Sequence, residues 1–186
     1  MGKLGGQLYA YANGLDRDPV RSRYDAEPVK SVGNGTTFPQ NLTTRERVRG
    51  GIAVLADSVA TRLRHAGLYA GGVQVTVRDP AFHDRSRQTQ LPAPTHLIRD
   101  ITDAAMVLTE SLWKPPAPIR ALTVTAIHLT AQEDAYEQVD LFAVAPRKKE
   151  KQEQLEAAMD RIRGKYGSGA IVFGAAQPEK EDDPLP

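Results

Sequence analysis

Residues 73–91 read VQVTVRDPAFHDRSRQTQL. Val73, Val75 and Val77 alternate with Gln74, Thr76 and Arg78, the two-residue period of a strand with one apolar and one polar face. Asp79-Pro80 then marks a turn, and RSRQTQL (85–91) resumes as a second strand whose side chains are polar on both faces. That arrangement is unfavourable for a strand buried in a sheet, and is explained where one face binds something.

The flanking sequence completes the unit. Upstream, VKSVGNGTTF (29–38) predicts a strand, with Gly33 and Gly35 marking a close approach of backbone to a neighbour. Thr43 and Glu46 have the spacing of a capping box. Val48, Ile52, Leu55, Val59 and Leu63 then recur at helical intervals, giving a helix over about 44–66 with Gly67 as its stop. Downstream, Leu97, Ile101, Ala105, Leu108 and Leu112 mark a second amphipathic helix closed by Pro115-Pro116. IRALTVTAIHL (119–129) sets Leu122, Val124 and Ala126 against Thr123 and Thr125. The order strand, helix, strand, strand, helix, strand implies an α+β fold, a four-stranded antiparallel sheet with two helices on one face.

Outside this unit, residues 3–13 predict a short helix capped at Asn13-Gly14, and 15–28 a polar linker with prolines at both ends. The acidic stretch from 131 predicts an exposed loop. A C-terminal helix follows over 148–166 through Leu155, Met159, Ile162 and Tyr166, then a short strand at 171–173 and a disordered acidic tail.

The chain has 186 residues and no cysteine, which excludes disulfides, thiolate metal sites and cysteine nucleophiles. No apolar run approaches the ~20 residues of a membrane span, and the opening MGKLGGQLYAYANG lacks the pattern of a secretory signal, so a cytoplasmic protein with no membrane partner is expected. The net charge of +1 hides a partition: residues 21–130 hold 14 basic against 9 acidic side chains, whereas 131–147 hold 1 against 4. A basic unit beside acidic connectors fits a polyanionic partner.

No carboxylate cluster of the kind that holds catalytic metal ions stands out, and no Walker-type phosphate loop is present. Asp79 and Asp84 flank one turn, where solvated acids are the ordinary reading; His65, His83, His96 and His128 lack partners at ligand spacing. No catalytic residue, metal site or cofactor is therefore expected. Repeated donors do stand out: Lys30, Ser31, Thr36 and Thr37 on the first strand, Gln74, Thr76 and Arg78 on the second, Arg85, Ser86, Arg87 and Thr89 on the third. Each can reach a phosphate oxygen without reading a base, although a polar outer sheet face would carry the same types.

The runs KSVGNGTTFPQNLTTRERV (30–48), VQVTVRDPAFHDRSRQTQL (73–91), IRALTVTAIHL (119–129) and QLEAAMDRIRGKYG (154–167) together resemble the C-terminal part of Y-family DNA polymerases, nearest the bacterial DNA polymerase IV branch. The resemblance extends over residues 2–174 and implies a little finger domain at 30–130, which in this family lies across primer-template duplex near a lesion. Residues 1–20 resemble the last helix of the thumb, and 21–29 the tether to the little finger. After the loop 131–147 it leaves a helix and short strand at 148–174 and a tail at 175–186. By position, the resemblance implies sequence-independent DNA contacts from Lys30, Ser31, Gly33, Thr36, Arg78, Phe82, Arg85, Ser86, Arg87 and Thr89. Pro80 and Ala81 depart from the acidic or hydroxyl pair usual there.

Gln138, Val139, Leu141 and Phe142 are similar to the peptide with which such polymerases dock on the sliding clamp, with Val139 in place of a leucine. An exposed glutamine followed by two apolar anchors can fill a groove from a loop. The resemblance leaves out the palm, so catalytic magnesium belongs to a polymerase core, which a separately encoded chain could supply. Two alternatives stand beside this reading: a clamp-binding adaptor with little DNA affinity, and a metal-dependent phosphotransfer enzyme or nuclease using Asp79 and Asp84.

Overall fold

The computed structural model describes residues 2–15, 17, 19, 28–132 and 146–173. Its elements are α1 (Lys3–Ala12), β1 (Ser31–Leu42), α2 (Arg45–His65), β2 (Leu68–Arg78), β3 (Asp84–Thr95), α3 (Ile98–Leu112), β4 (Ile119–Ala131) and α4 (Pro146–Tyr166). The four strands form one antiparallel sheet in the order β1-β4-β2-β3. The element order and the four-stranded antiparallel sheet expected from the sequence are the ones observed.

Alternation within the strands builds the core. Val73, Val75 and Val77 of β2 and Leu122, Val124 and Ala126 of β4 are buried under Val48, Ile52, Leu55, Val59 and Leu63 of α2 and Ile101, Ala105 and Leu108 of α3. Each buried aliphatic side chain contributes about 1.5–3 kcal/mol relative to exposure. All four strands run longer than the pattern suggested. β1 continues through Pro39 and β3 through Pro92 and Pro94, which is tolerated because both are edge strands.

The cap of α2 differs from expectation. Thr44, not Thr43, holds the extended N-cap conformation, and its Oγ1 accepts from the Arg47 N–H at 3.3 Å. Glu46 therefore sits one position too early to close a capping box, and instead places its carboxylate in the positive first turn. Gly67 (φ +63°) and Gly14 (φ +66°) adopt the left-handed conformation required where the chain leaves α2 and α1. α1 exposes Leu4, Leu8, Tyr9 and Tyr11.

The C-terminal helix docks by a face that the apolar spacing did not reveal. Of its four periodic apolar residues only Met159 is buried; Leu155, Ile162 and Tyr166 are exposed. The docking face is Glu156, Asp160 and Arg163, successive turns of one side. Arg64 of α2 donates to Glu156 at 2.5 Å and to Asp160 at 2.6 Å and 3.0 Å, while Arg163 forks onto Asp57 at 2.7 Å and 2.8 Å. The fully buried Glu156 carboxylate also accepts from the Ile98 N–H at 3.1 Å. Because Leu97, at the N-cap of α3, offers no side-chain acceptor, α4 supplies that cap from 58 residues away. Ile171–Phe173 form no strand; the Ile171 carbonyl instead accepts from Arg163 Nε at 2.9 Å.

Two buried groups in this seam titrate in opposite senses. Burial pushes the Glu156 carboxyl up to about 7, against the Arg64 charge and the Ile98 N–H. Burial, helped by the Arg64 and Lys149 charges, brings the His96 imidazole down to about 4. The Glu156 contribution to stability is full below its ordinary 4.5 and is lost as pH rises through about 7. That of His96 is full above its ordinary 6.5 and is lost as pH falls toward about 4. Over the shared window the slopes oppose each other. Urea unfolding of the wild type should therefore vary little between about pH 5 and 6.5, whereas Glu156→Gln should become more stable as pH rises across it. Parallel pH profiles for the two proteins would refute this assignment.

Candidate nucleic-acid interface

Residues paired across antiparallel strands share a face, so the register gives the helix-free side directly. From β1 to β3 its rows are Thr37, Ala121, Arg78, Asp84; Gly35, Thr123, Thr76, Ser86; Gly33, Thr125, Gln74, Gln88; and Ser31, Ile127, Gly72, Gln90. Apart from Ala121 and Ile127, every side chain in these rows is polar or absent. Gly33 and Gly35 are needed here for space. A Cβ on Gly33 would stand 2.8 Å from Thr125 Oγ1, and one on Gly35 would collide with Thr123 Oγ1. The threonines thus lie over the glycine backbone, beside a hollow of about 220 Å³ lined by Gly35, Thr37, Thr76, Arg78, Asp84 and Thr123.

The side chains in this region are tied to one another. Thr76 Oγ1 and Ser86 Oγ are 2.7 Å apart, and Arg78 forks onto Asp84 at 2.6 Å and 2.7 Å. The hydrogen bonds from Arg78 hold the Asp84 carboxyl below the usual carboxylate range. Arg78 is consequently a neutralised donor and not an isolated cation.

The register also divides the residues expected to contact DNA. Ser31, Gly33, Arg78 and Ser86 lie on the helix-free face. Thr36, Arg85, Arg87 and Thr89 lie on the other, in line with Leu122, Val77, Val75 and Val73. All four are exposed: Thr36 on the edge strand β1, and Arg85, Arg87 and Thr89 within residues 84–90 of β3, every one of which is exposed. Lys30 is exposed just before β1. The expected set therefore lines two sides of the sheet and one projecting edge. Arg85 and Arg87 form no ion pair among the described residues, and so carry uncompensated positive charge on that edge. Gln88, Gln90, Thr123 and Thr125 complete the helix-free rows. Their alternation was visible in the sequence, but only pairing could align them with Gly33 and Gly35.

The β2–β3 turn is organised by Asp79. Its Oδ1 accepts from the Ala81 and His83 N–H groups at 2.8 Å and 3.0 Å, and its Oδ2 lies 3.2 Å from His83 Nδ1. The Phe82 N–H closes the turn onto the Asp79 carbonyl at 3.0 Å. Phe82 itself has φ +66° and is 74% exposed. Asp79 and Asp84 are each engaged in separate local contacts, and no group of three His, Cys, Asp or Glu among the described residues could hold a metal ion. The remaining histidines are scattered; His96 packs on Tyr69 with ring centroids 4.4 Å apart. The clamp-like residues 138–142 lie outside the described residues.

A β-α-β-β-α-β sheet with both core helices on one side and hydroxyls, amides and arginines on the rest is the architecture of a little finger module. Residues 29–141 match the model of the impB/mucB/samB family C-terminal domain, and the chain belongs to that family, the C-terminal region of the Y-family polymerases of DNA repair and translesion synthesis. It is 35% identical over 174 residues to DNA polymerase IV of Acetivibrio thermocellus, covering 94% of this chain and 43% of that protein. It is 33% identical over 173 residues to DNA polymerase IV 1 of Halalkalibacterium halodurans (91% and 40%) and 31% identical over 184 residues to DNA polymerase IV 1 of Bacillus subtilis (97% and 43%). The chain thus spans about two fifths of the length of these relatives, and the match is to the family's C-terminal, non-catalytic domain. Among the described residues, no helix is long and apolar enough to cross a membrane.

The glycine–threonine packing gives a direct test. Gly35→Ala should cost about 1–3 kcal/mol in urea unfolding because Thr123 must move, and adding Thr123→Ala should recover most of it. Additive losses in the double variant would show that the two residues do not share this space.

Proposed function

We propose that this chain is the DNA-gripping module of a translesion polymerase, holding primer-template duplex at damaged sites through its phosphate backbone. The observation that carries the reading is the projecting edge of β3. There Arg85 and Arg87 stand exposed, without ion pairs among the described residues, beside Ser86 and Thr89, in a domain of a polymerase family. An edge with donors on both sides suits a groove, where it reaches the phosphates that flank it. Such contacts position a duplex without reading its sequence. A polymerase core, in the same chain or a separately encoded one, supplies the palm carboxylates and their magnesium ions, so the module alone does not polymerise. The compartment that fits this work is the cytoplasm, where the chromosome lies.

The test is a salt titration of binding to a primer-template duplex by fluorescence anisotropy. Wild-type affinity should fall steeply with salt, and Arg87→Ala should bind more weakly with a slope shallower by about one phosphate contact. No binding at low salt, or an Arg87→Ala variant indistinguishable from wild type, would refute the grip.

The module also docks on the sliding clamp through Gln138, Val139, Leu141 and Phe142, with Leu141 and Phe142 as the apolar anchors. Phe142→Ala should abolish recovery of the clamp in a pull-down while leaving DNA affinity unchanged. Retention of the clamp by this variant would remove the assignment. If clamp binding were present and DNA binding absent, the chain would instead be an adaptor.

A further inference from the structure

An aromatic residue in the left-handed region is a costly choice for a turn that glycine or asparagine would make without strain. In this turn Asp79 fixes the chain through the Ala81 and His83 N–H groups, so that Phe82 is held at φ +66° with its ring 74% exposed at the end of the hairpin. The strain gains no packing, since the ring is turned into water rather than into the core. Three residues further on, the exposed Arg85 begins the basic edge. A flat apolar face presented to water by a fixed backbone turn next to positive charge is complementary to a ligand with both a π-face and a phosphate backbone.

We propose that Phe82 is a stacking platform for an unpaired base of the template strand, at the point where duplex gives way to single strand. This rests on the phosphate-grip reading and adds a second mode to it: the strand edge holds the backbone, and the tip senses whether a base is free of its partner. Bases within a duplex have both faces covered by stacking. An unpaired base at a single-strand junction has a face available, and stacking on aromatic side chains is indifferent to base identity. The turn conformation presents the ring before DNA arrives, so little further ordering is needed on binding.

The experiment compares a blunt duplex, the same duplex with a 5′ template overhang, and oligo-dT, each binding to the full chain. Phe82→Leu keeps an apolar side chain and the turn but removes the π-face. It should lose about tenfold in affinity for the overhang substrate and for oligo-dT, and much less for blunt duplex. Phe82→Trp should retain overhang affinity, and its indole fluorescence should be quenched by the overhang substrate but not by blunt duplex; Trp113 is buried and gives a constant background. Thermal unfolding checks that both variants fold. An equal loss on all three ligands, or no loss on any, would overturn the stacking role while leaving the backbone grip standing. Failure of the wild type to bind any of the three would remove the grip and this proposal together, and the Arg87→Ala titration separates those cases.

Discussion

The pleat of an antiparallel sheet sends alternate side chains to opposite faces, and in this domain α2 and α3 both pack on the same one. Every other feature of the interface follows from that asymmetry. On the central strands β2 and β4 the covered face must be Val, Leu and Ala, and it is. The uncovered face is released from packing and can be given over to hydroxyls, amides and glycine backbone. A one-residue slip of β2 against β4 would exchange Val75 for Gln74 or Thr76 under the helices, burying polar groups without partners. The register is therefore fixed by the core, and the spacing of the donors on the outside is fixed with it.

Where the helices stop, the same alternation has a different consequence. Residues 84–90 of β3 extend past the helical layer, so both of their faces meet water. This explains why RSRQTQL lacks the half-apolar pattern of its neighbours: no face there has a core to join. It also explains how Arg85 and Arg87 can occupy the side that, one strand over, belongs to Val77 and Val75. Like any exposed edge strand, β3 needs protection from unwanted pairing, and its charged side chains and its prolines at 92 and 94 provide it.

The legibility of the molecule in its sequence divides along the range of the interactions involved. Val48, Ile52, Leu55, Val59 and Leu63 announced α2 because helical periodicity is local, and the valines of β2 announced their strand in the same way. The candidate donors are legible as residue types, but their division between two faces depends on the strand pairing that sets them in rows. Docking of α4 was the least legible part. Its apolar spacing pointed to Leu155, Met159, Ile162 and Tyr166, of which only Met159 is buried, whereas the polar contact is made by Glu156, Asp160 and Arg163 against partners about a hundred residues away. Nothing local distinguishes a glutamate that will cap a distant helix from one that will be solvated.

That polar seam matters to more than its own stability. A buried ion network is weak evidence for net stabilisation, but its geometry is demanding, so it fixes one orientation of α4 where an apolar stripe would allow sliding. The chain leaves the sheet at Gln132, whose N–H bonds the Gly67 carbonyl at 3.1 Å, and returns at Pro146 to begin α4. The directed hydrogen bonds from Arg64 and Arg163 to Glu156, Asp160 and Asp57 thus specify where α4 sits on α2 as well as that it sits there.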